Sequence, residues 1–347
     1  MKQNIVLNLF SSNAHVAQIA TGFLMLEEQG KINLTLNEKY DSGYQYSNIS
    51  LAEAYINGKR VIFDTEDGYW EYEPGGMEYY LQRCDCYFKR SFSQVYNQQY
   101  SSELQSKIHP LGFNYYVTYP NNPIKYTDKY IVKNYKHYIK RLAGLKMDSY
   151  FTPEVFEATP NKIEGEAKIL FFVGLYEPNL GVEEKDKERV YINETRVNLV
   201  KKLQKEYGKF FTGGVQATEY ATKYCPELIL PKRITERGHY QKLIKNSDIC
   251  IGTMGLHESI GWKTAQFVAS SRGIVNEKFH YEVPGEFSDG KNYLAFDSIE
   301  QCIENVQRLF EDRELLYHMK EENYRYYQEY LRPDKLVERA INIVVKS

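Results

Sequence analysis

The stretch from Ser247 to Pro284, SDICIGTMGLHESIGWKTAQFVASSRGIVNEKFHYEVP, constrains the fold more than any other part of the chain. Ile249–Ile251 is a short apolar run with the character of a buried strand. Gly252, Gly255 and Gly261 punctuate the residues that follow, so the chain turns there instead of extending. Trp262–Val268 suits a helix, and after Gly273 the pair Ile274–Val275 begins another strand. Strand, glycine-rich loop, helix, strand is a βαβ unit. In such units ligands sit beyond the carboxyl ends of the strands, against helix N-termini.

One acid, Glu258, lies in that loop just before the helix. A carboxylate there has a structural use, because it favours a helix N-terminus. It also has a functional use, as an acceptor for ligand hydroxyls beside a backbone ready to receive phosphate. Spacing alone leaves both open.

Residues Tyr240 to Val275 resemble the nucleotide-sugar half of GT-B glycosyltransferases of the group 1 type, especially bacterial members with an ESIGWK-like loop. That family carries an acid, seven residues, then a second acid at this helix. Glu258 matches the first, which in the family holds a hydroxyl of the donor sugar. Gln266 stands at the second, a departure from the acid that grips the ribose, although an amide still hydrogen-bonds a diol. The resemblance continues through NEKFHYEVPGEF, KNYLAF and NYRYYQEYLRPDKLV and covers roughly the second half of the chain.

The resemblance implies an α/β protein of the GT-B class, with two Rossmann-like domains facing across a cleft and the donor in the second. It implies transfer of a sugar from a nucleotide-sugar donor to a hydroxyl of a glycan or lipid-linked acceptor, with retained configuration. No essential metal and no cofactor beyond the donor are expected. Glu258 would orient the sugar and Gln266 the ribose, with His257 beside them. Backbone groups around Ser259, Ile260 and Gly261 would receive the diphosphate. The family's usual Arg after the first strand's glycine is absent, since Leu175 follows Gly174. Arg196 is the substitute candidate, with Lys232 and Arg233 behind it; a guanidinium suits phosphate oxygens. All three could equally be surface charges.

A chain of 347 residues can bury a substantial core, and its length favours about two domains. With 44 basic and 46 acidic residues the net charge is −2, so no global field favours nucleic acid. No apolar run has membrane-spanning length, and MKQNIVLNLFSS turns polar too soon for a secretory signal. Five scattered cysteines without zinc-site partners read as reduced and structural, in a cytoplasmic protein. The 32 tyrosines suit core packing for the most part, although a tyrosine ring also stacks on sugars.

The chain opens with a strand at Asn4–Phe10, cap residues Ser11-Ser12-Asn13, and a helix from Ala14 to Gln29 closed by Gly30. There is no GxGxxG fingerprint. His15 lies at this strand-to-helix junction, where an acceptor cleft would open, and is a candidate catalytic residue on that ground. Tyr40–Asn48 reads as loop, and Val61–Phe63 as a short strand running into Asp64, Glu66 and Asp67. Clustered carboxylates after a strand can hold a divalent cation, the mark of a metal-dependent GT-A-type transferase, and Asp64 with Asp67 carries that alternative. Another strand over Asp85–Ser91 ends in Lys89 and Arg90, read either as anion contacts or, preferably, as a solvated strand end.

Lys129–Lys146 has no acid. Its lysines 129, 133, 136 and 140 recur at helical spacing opposite an apolar stripe, a pattern that suits either a peripheral contact with an anionic membrane or an ordinary surface helix. Asp148–Gly165 reads as the interdomain connection, Lys168–Val173 as a strand, Gly174–Glu188 as a polar loop and Glu194–Tyr207 as a helix. Helices are also expected over Ser298–Phe310, Arg313–Tyr330 and Pro333–Val345. The expected division is 1–155 for an acceptor domain, 156–320 for a nucleotide-sugar domain, and 321–347 for helices packing back toward the first. A third reading, a non-catalytic nucleotide-sugar-binding protein, draws on the Gln266 departure.

Overall fold

The computed structural model describes residues 2–46, 50–69, 75–125 and 151–347. Two sheets, each with its own core, divide these residues between them.

The first sheet contains β1 (Gln3–Leu9), β2 (Ile32–Asn37), β3 (Leu51–Ile56), β4 (Lys59–Asp64), β5 (Cys86–Lys89) and β6 (Ile108–Pro110), in the order β2-β1-β3-β4-β5-β6. All pairings are parallel except those of β3, which runs antiparallel to β1 and β4. The β3–β4 hairpin is absent from the sequence reading, which has only Val61–Phe63 as strand. Its turn is Asn57-Gly58, with φ of 51° and 79°, and Ile56 faces Lys59 across it. Two left-handed residues make the turn whose twist matches an antiparallel pair, and Asn-Gly supplies them at low cost.

After β1 the Asn13 side chain accepts from the His15 amide at 2.9 Å. A single tight turn, Ala14–Val16, leads into the helix Ala17–Glu28, which Gly30 closes at φ 71°. The core beneath joins Leu7, Phe23, Phe63 and Phe88 to Leu336, Val337, Ile341 and Val344 of the C-terminal helix Pro333–Lys346. That helix lies so close that a Cβ on Gly22 would stand 2.2 Å from the Pro333 carbonyl oxygen.

The second sheet is wholly parallel: β7 (Ile169–Val173), β8 (Phe211–Val215), β9 (Ile249–Gly252), β10 (Gly273–Glu277) and β11 (Leu294–Phe296), in the order β11-β10-β9-β7-β8. β7, ILFFV, is buried at every residue, as a strand covered on both faces must be. The chain leaves β7 to one side for β8 and returns past it to β9. That reversal opens a crevice beyond the carboxyl ends of β7 and β9.

Two expectations need correction here. The helix read from Glu194 begins at Glu183 and runs to Tyr207. Its first turn holds Glu183, Glu184 and Asp186, and the Asp186 carboxylate accepts from the Leu180 and Gly181 amides, so acids favour the helix where a polar loop was expected. Lys89 and Arg90 are not a solvated strand end: they are 0% and 5% exposed. Lys89 meets Asp64 at 3.2 Å, and Arg90 meets Asp67.

The domains touch directly. The Glu282 amide donates to the Phe92 carbonyl at 2.8 Å, and Arg90 Nη2 donates to the Ile260 carbonyl at 2.6 Å. The two interdomain connections are tied by Tyr327, whose hydroxyl donates to Glu157 at 2.9 Å. Two Rossmann-like α/β domains facing across a cleft make the GT-B arrangement, as expected. All five cysteines are free and buried. Among the described residues no helix is long and apolar enough to cross a membrane, and the basic segment Lys129–Lys146 lies outside them.

Candidate functional site

A cavity of about 260 Å³ occupies the crevice, lined by Gly174, Leu175, Tyr176, Arg196, Thr253, Gly255 and the stretch from Gly261 to Thr264. Gly261 caps the helix Trp262–Ala269, so the amino end of that helix faces the cavity. The Thr264 hydroxyl, donating to Asn276 Oδ1 at 2.9 Å, fixes this end against β10.

Arg196 is 8% exposed and clamps both loops of the crevice. It donates to the Gly174 carbonyl at 2.7 Å, the Met254 carbonyl at 2.9 Å and the Thr253 hydroxyl at 3.0 Å. Lys263, in the first turn of the helix, donates to the Phe172 carbonyl. Burial, then the charge of Arg196, lowers its ammonium pKa to about 7. No carboxylate among the described residues lines the cavity. A cation at a helix N-terminus opposes the helix dipole, and two cations without an acid repel each other. Both costs reverse when an anion enters, so the charge of the cavity suits an anion.

Gly255 also lines a second cavity, of about 380 Å³, with Glu188, Tyr191, Glu258, Glu277, Lys278, His280 and Asp297. Glu258 is half exposed, with Oε2 at 3.4 Å from His280 Nδ1. His257 and Glu258 both have φ of 56°, a left-handed backbone that non-glycine residues adopt sparingly and that clusters at functional loops. Three contacts hold the loop in that shape. The His257 amide donates to Glu188 at 2.6 Å, its carbonyl accepts from the Tyr281 hydroxyl at 2.9 Å, and the Gly255 amide donates to the Ser259 carbonyl at 2.8 Å. Ser259 itself is buried. Burial raises the Glu277 carboxyl pKa, and Glu277 accepts from the Met254 amide at 2.6 Å. Carboxylates beside a phosphate-type cavity can accept from the hydroxyls of a polyol.

On the other side of Lys263 a third cavity, of about 240 Å³, is lined by Phe172, Gln216, Arg237, Tyr240, Gln241 and Gln266 among others. Gln266 is buried and accepts from Gln241 at 2.8 Å. Amides and aromatic faces suit a ribose and a base. Acidic, cationic and amide-lined cavities thus follow one another around the Trp262 helix end.

From the first domain, His15 reaches this helix: its ring lies 4.9 Å from that of Trp262, edge on. Among the described residues its buried Nδ1 has no hydrogen-bond partner. Burial and then Arg90 lower its pKa, so the imidazole is neutral at pH 7. Lys232 and Arg233, by contrast, are exposed on a short helix, Lys232–Thr235, and line none of the three cavities. Asp64 is fully buried between Lys89 and the Tyr87 hydroxyl, and Asp67 is engaged by Arg90. Among the described residues no three His, Cys, Asp or Glu gather as a metal site.

Lys263 is the residue that sequence reasoning missed, although it lies inside the quoted ESIGWK loop. The available signal was a lysine in the first turn of a helix, where a carboxylate is the favoured residue.

No family model matches the chain, and no curated protein matches it significantly. Solved structures do resemble it. One is the C-terminal domain of a glycosyl transferase group 1 family protein, LpcC, from Francisella tularensis, with 17% identity and a TM-score of 0.35 over 51% of this chain and 95% of that one. A second is a variant of TarM from S. aureus in complex with fondaparinux, α-GlcNAc-glycerol and UDP, with 10% identity, a TM-score of 0.42 and 80% of this chain aligned. The match spans about half of TarM, 49% of its length. The third is a protein described as a UDP-N-acetylglucosamine 2-epimerase from Listeria monocytogenes, with 13% identity and a TM-score of 0.49 over 100% of this chain and 96% of that one. The GT-B arrangement of this chain is read from the strand order of its own two sheets.

Proposed function

We propose that the chain is a glycosyltransferase that moves a sugar from a nucleotide-sugar donor to a hydroxyl of a glycan or lipid-linked acceptor. The observation that carries this reading is the acid-free cavity holding Arg196, Lys263 and a helix N-terminus, with a carboxylate-lined cavity on one side and an amide-lined one on the other. Sugar, diphosphate and nucleoside fit that order.

In this reading Glu258 accepts from donor-sugar hydroxyls, and Gln266 serves the ribose. Lys263 and the amino end of its helix stabilise the charge that grows on the diphosphate as the bond from sugar C1 to phosphate oxygen breaks. Arg196 already gives three donors to the loops. It contributes its field and the shape of the crevice. The acceptor oxygen bonds to C1, and its proton passes to the departing phosphate oxygen on the same face, which retains the anomeric configuration. His15 stands on the acceptor side as a neutral imidazole with an available nitrogen.

The test is a melting-temperature panel of nucleoside diphosphates and nucleotide sugars, followed by assay of nucleoside diphosphate release with glycan acceptors. A ligand that binds only the folded state raises its melting temperature by mass action. One nucleotide series should stand out, and release should persist in excess EDTA. Binding without turnover on any acceptor would leave a nucleotide-sugar-binding protein. A strict Mn²⁺ requirement would overturn the metal-independent form of the reading.

A further inference from the structure

Lys263 lines both the cationic and the amide-lined cavity, so its amine stands between the places assigned to diphosphate and nucleoside. Among the described residues its hydrogen-bond acceptor is the Phe172 carbonyl on β7. The charged and titratable groups around it come from every element packed there. Arg196 approaches from the helix Glu183–Tyr207, and Arg237 and Tyr240 from the helix Arg237–Lys245, with the Tyr240 ring 5.7 Å from Nζ. Arg237 is held by the Tyr116 carbonyl and carries its charge over the Tyr116 ring at 4.2 Å. Glu277, in the sugar-side cavity, lies within the field of Arg196. Among the described residues neither cavity that Lys263 lines contains a carboxylate.

We propose that Lys263 is a proton-coupled ligand of the diphosphate, taking up a proton from solvent as the diphosphate enters and releasing it as the nucleotide departs. This rests on the reading of the cationic cavity as the diphosphate site. In the empty cavity an ammonium would face a guanidinium, the positive end of a helix and one carbonyl, an environment that favours the neutral amine. Burial and Arg196 lower its pKa to about 7, in agreement with that geometry. A bound diphosphate brings two or more negative charges to the same place and favours the ammonium. The second cation is thus assembled together with the anion that needs it. No covalent bond to carbon or phosphorus changes in this step; one proton moves between water and Nζ.

Calorimetric titration tests it, using as probes inorganic pyrophosphate and whichever of UDP, GDP, ADP or CDP gives the largest melting shift. Each titration is run at about pH 8, above the lowered pKa, in two buffers of different ionisation enthalpy. Wild type should take up a fraction of a proton per probe bound, and its affinity should fall as pH rises from about 6.5 to 8.5. Lys263→Arg, charged throughout, should bind with no uptake beyond the probe's own. Lys263→Met should lose that uptake and about tenfold or more in affinity, the scale of one charge-assisted hydrogen bond.

Equal uptake in wild type and Lys263→Arg, or undiminished affinity in Lys263→Met, would overturn the role of Lys263 while leaving the nucleotide-sugar reading intact. Failure of every nucleotide and of pyrophosphate to bind would overturn both. Melting curves of the free variants show whether each is folded before titration.

Discussion

In the first domain Lys89 and Arg90 end β5 against carboxylates, Asp64 at 3.2 Å and Asp67. At the matching carboxyl edge of the second domain, the hydrogen bonds of Arg196 and Lys263 go to carbonyl and hydroxyl oxygens. Both pairs stand near the carboxyl ends of parallel strands and both are largely shielded from water. The first pair is electrically complete and locks one domain to the other, since Arg90 also reaches the Ile260 carbonyl. The second has hydrogen-bond acceptors but no carboxylate among the described residues lining its cavity. A buried cation with its own carboxylate is part of the framework, whereas a buried cation without one marks where a ligand charge belongs.

The widest expected effect comes from breaking the complete side. Lys89→Met leaves Asp64, fully buried, without its cation, at a cost of about 3–5 kcal/mol. Thermal unfolding should fall by roughly 10 °C. An unchanged melting temperature would mean that the two edges do not differ as described.

Glu258→Gln comes next, because its carboxylate is half exposed and bears little of the framework. It should leave stability within about 0.5 kcal/mol while cutting turnover on the order of 100-fold, the scale at which a misplaced reacting group loses rate. Steady-state assay of nucleoside diphosphate release, beside a binding titration that stays near wild type, checks this.

Lys263→Met should act with the opposite sign to Lys89→Met. The folded-state pKa of Lys263 is lowered, so the unfolded chain binds the extra proton between about pH 7 and 10.5 and is favoured as the pH falls through that range. Removing the amine should therefore stabilise the free protein at pH 7. The gain is on the order of 2 kcal/mol once the part of the chain that keeps water is discounted, or about 5 °C. The advantage should shrink toward pH 10, as measured by melting across pH. The smallest effect belongs to Lys232→Ala with Arg233→Ala. These exposed residues line none of the three cavities, and the donor KM should move by less than about twofold.

The second sheet was legible because its strands are short apolar runs bounded by glycines, and the glycines from Gly252 to Gly261 mark a turn at the carboxyl end of β9. The glutamate at 258 and the glutamine at 266 fall in neighbouring cavities at the crevice. The β3–β4 hairpin is also written in the chain, as Asn57-Gly58 between LAEAYI and KRVIFD. Other features were not legible by their nature. That Arg196 spends its donors on Gly174, Thr253 and Met254, and that Lys263 lacks an acid, depend on which carbonyls and carboxylates meet in space. Periodicity places a residue on an element; it does not count its partners. Lys89 and Arg90 misled for the same reason, since their carboxylates come from the neighbouring strand's end, Asp64 on β4, and from the loop beyond it, Asp67.

The helix Pro333–Lys346 completes the core of the first domain with Leu336, Val337, Ile341 and Val344. That arrangement sets an order of events during synthesis. The first domain leaves the ribosome with the side of the helix Ala17–Glu28 that meets Pro333–Lys346 still uncovered, and it stays so while the whole second domain is made. An apolar face open for that long is a natural substrate for a chaperone. The second domain has its own core and can close as soon as its strands have emerged, so the part translated first is the part that finishes folding last.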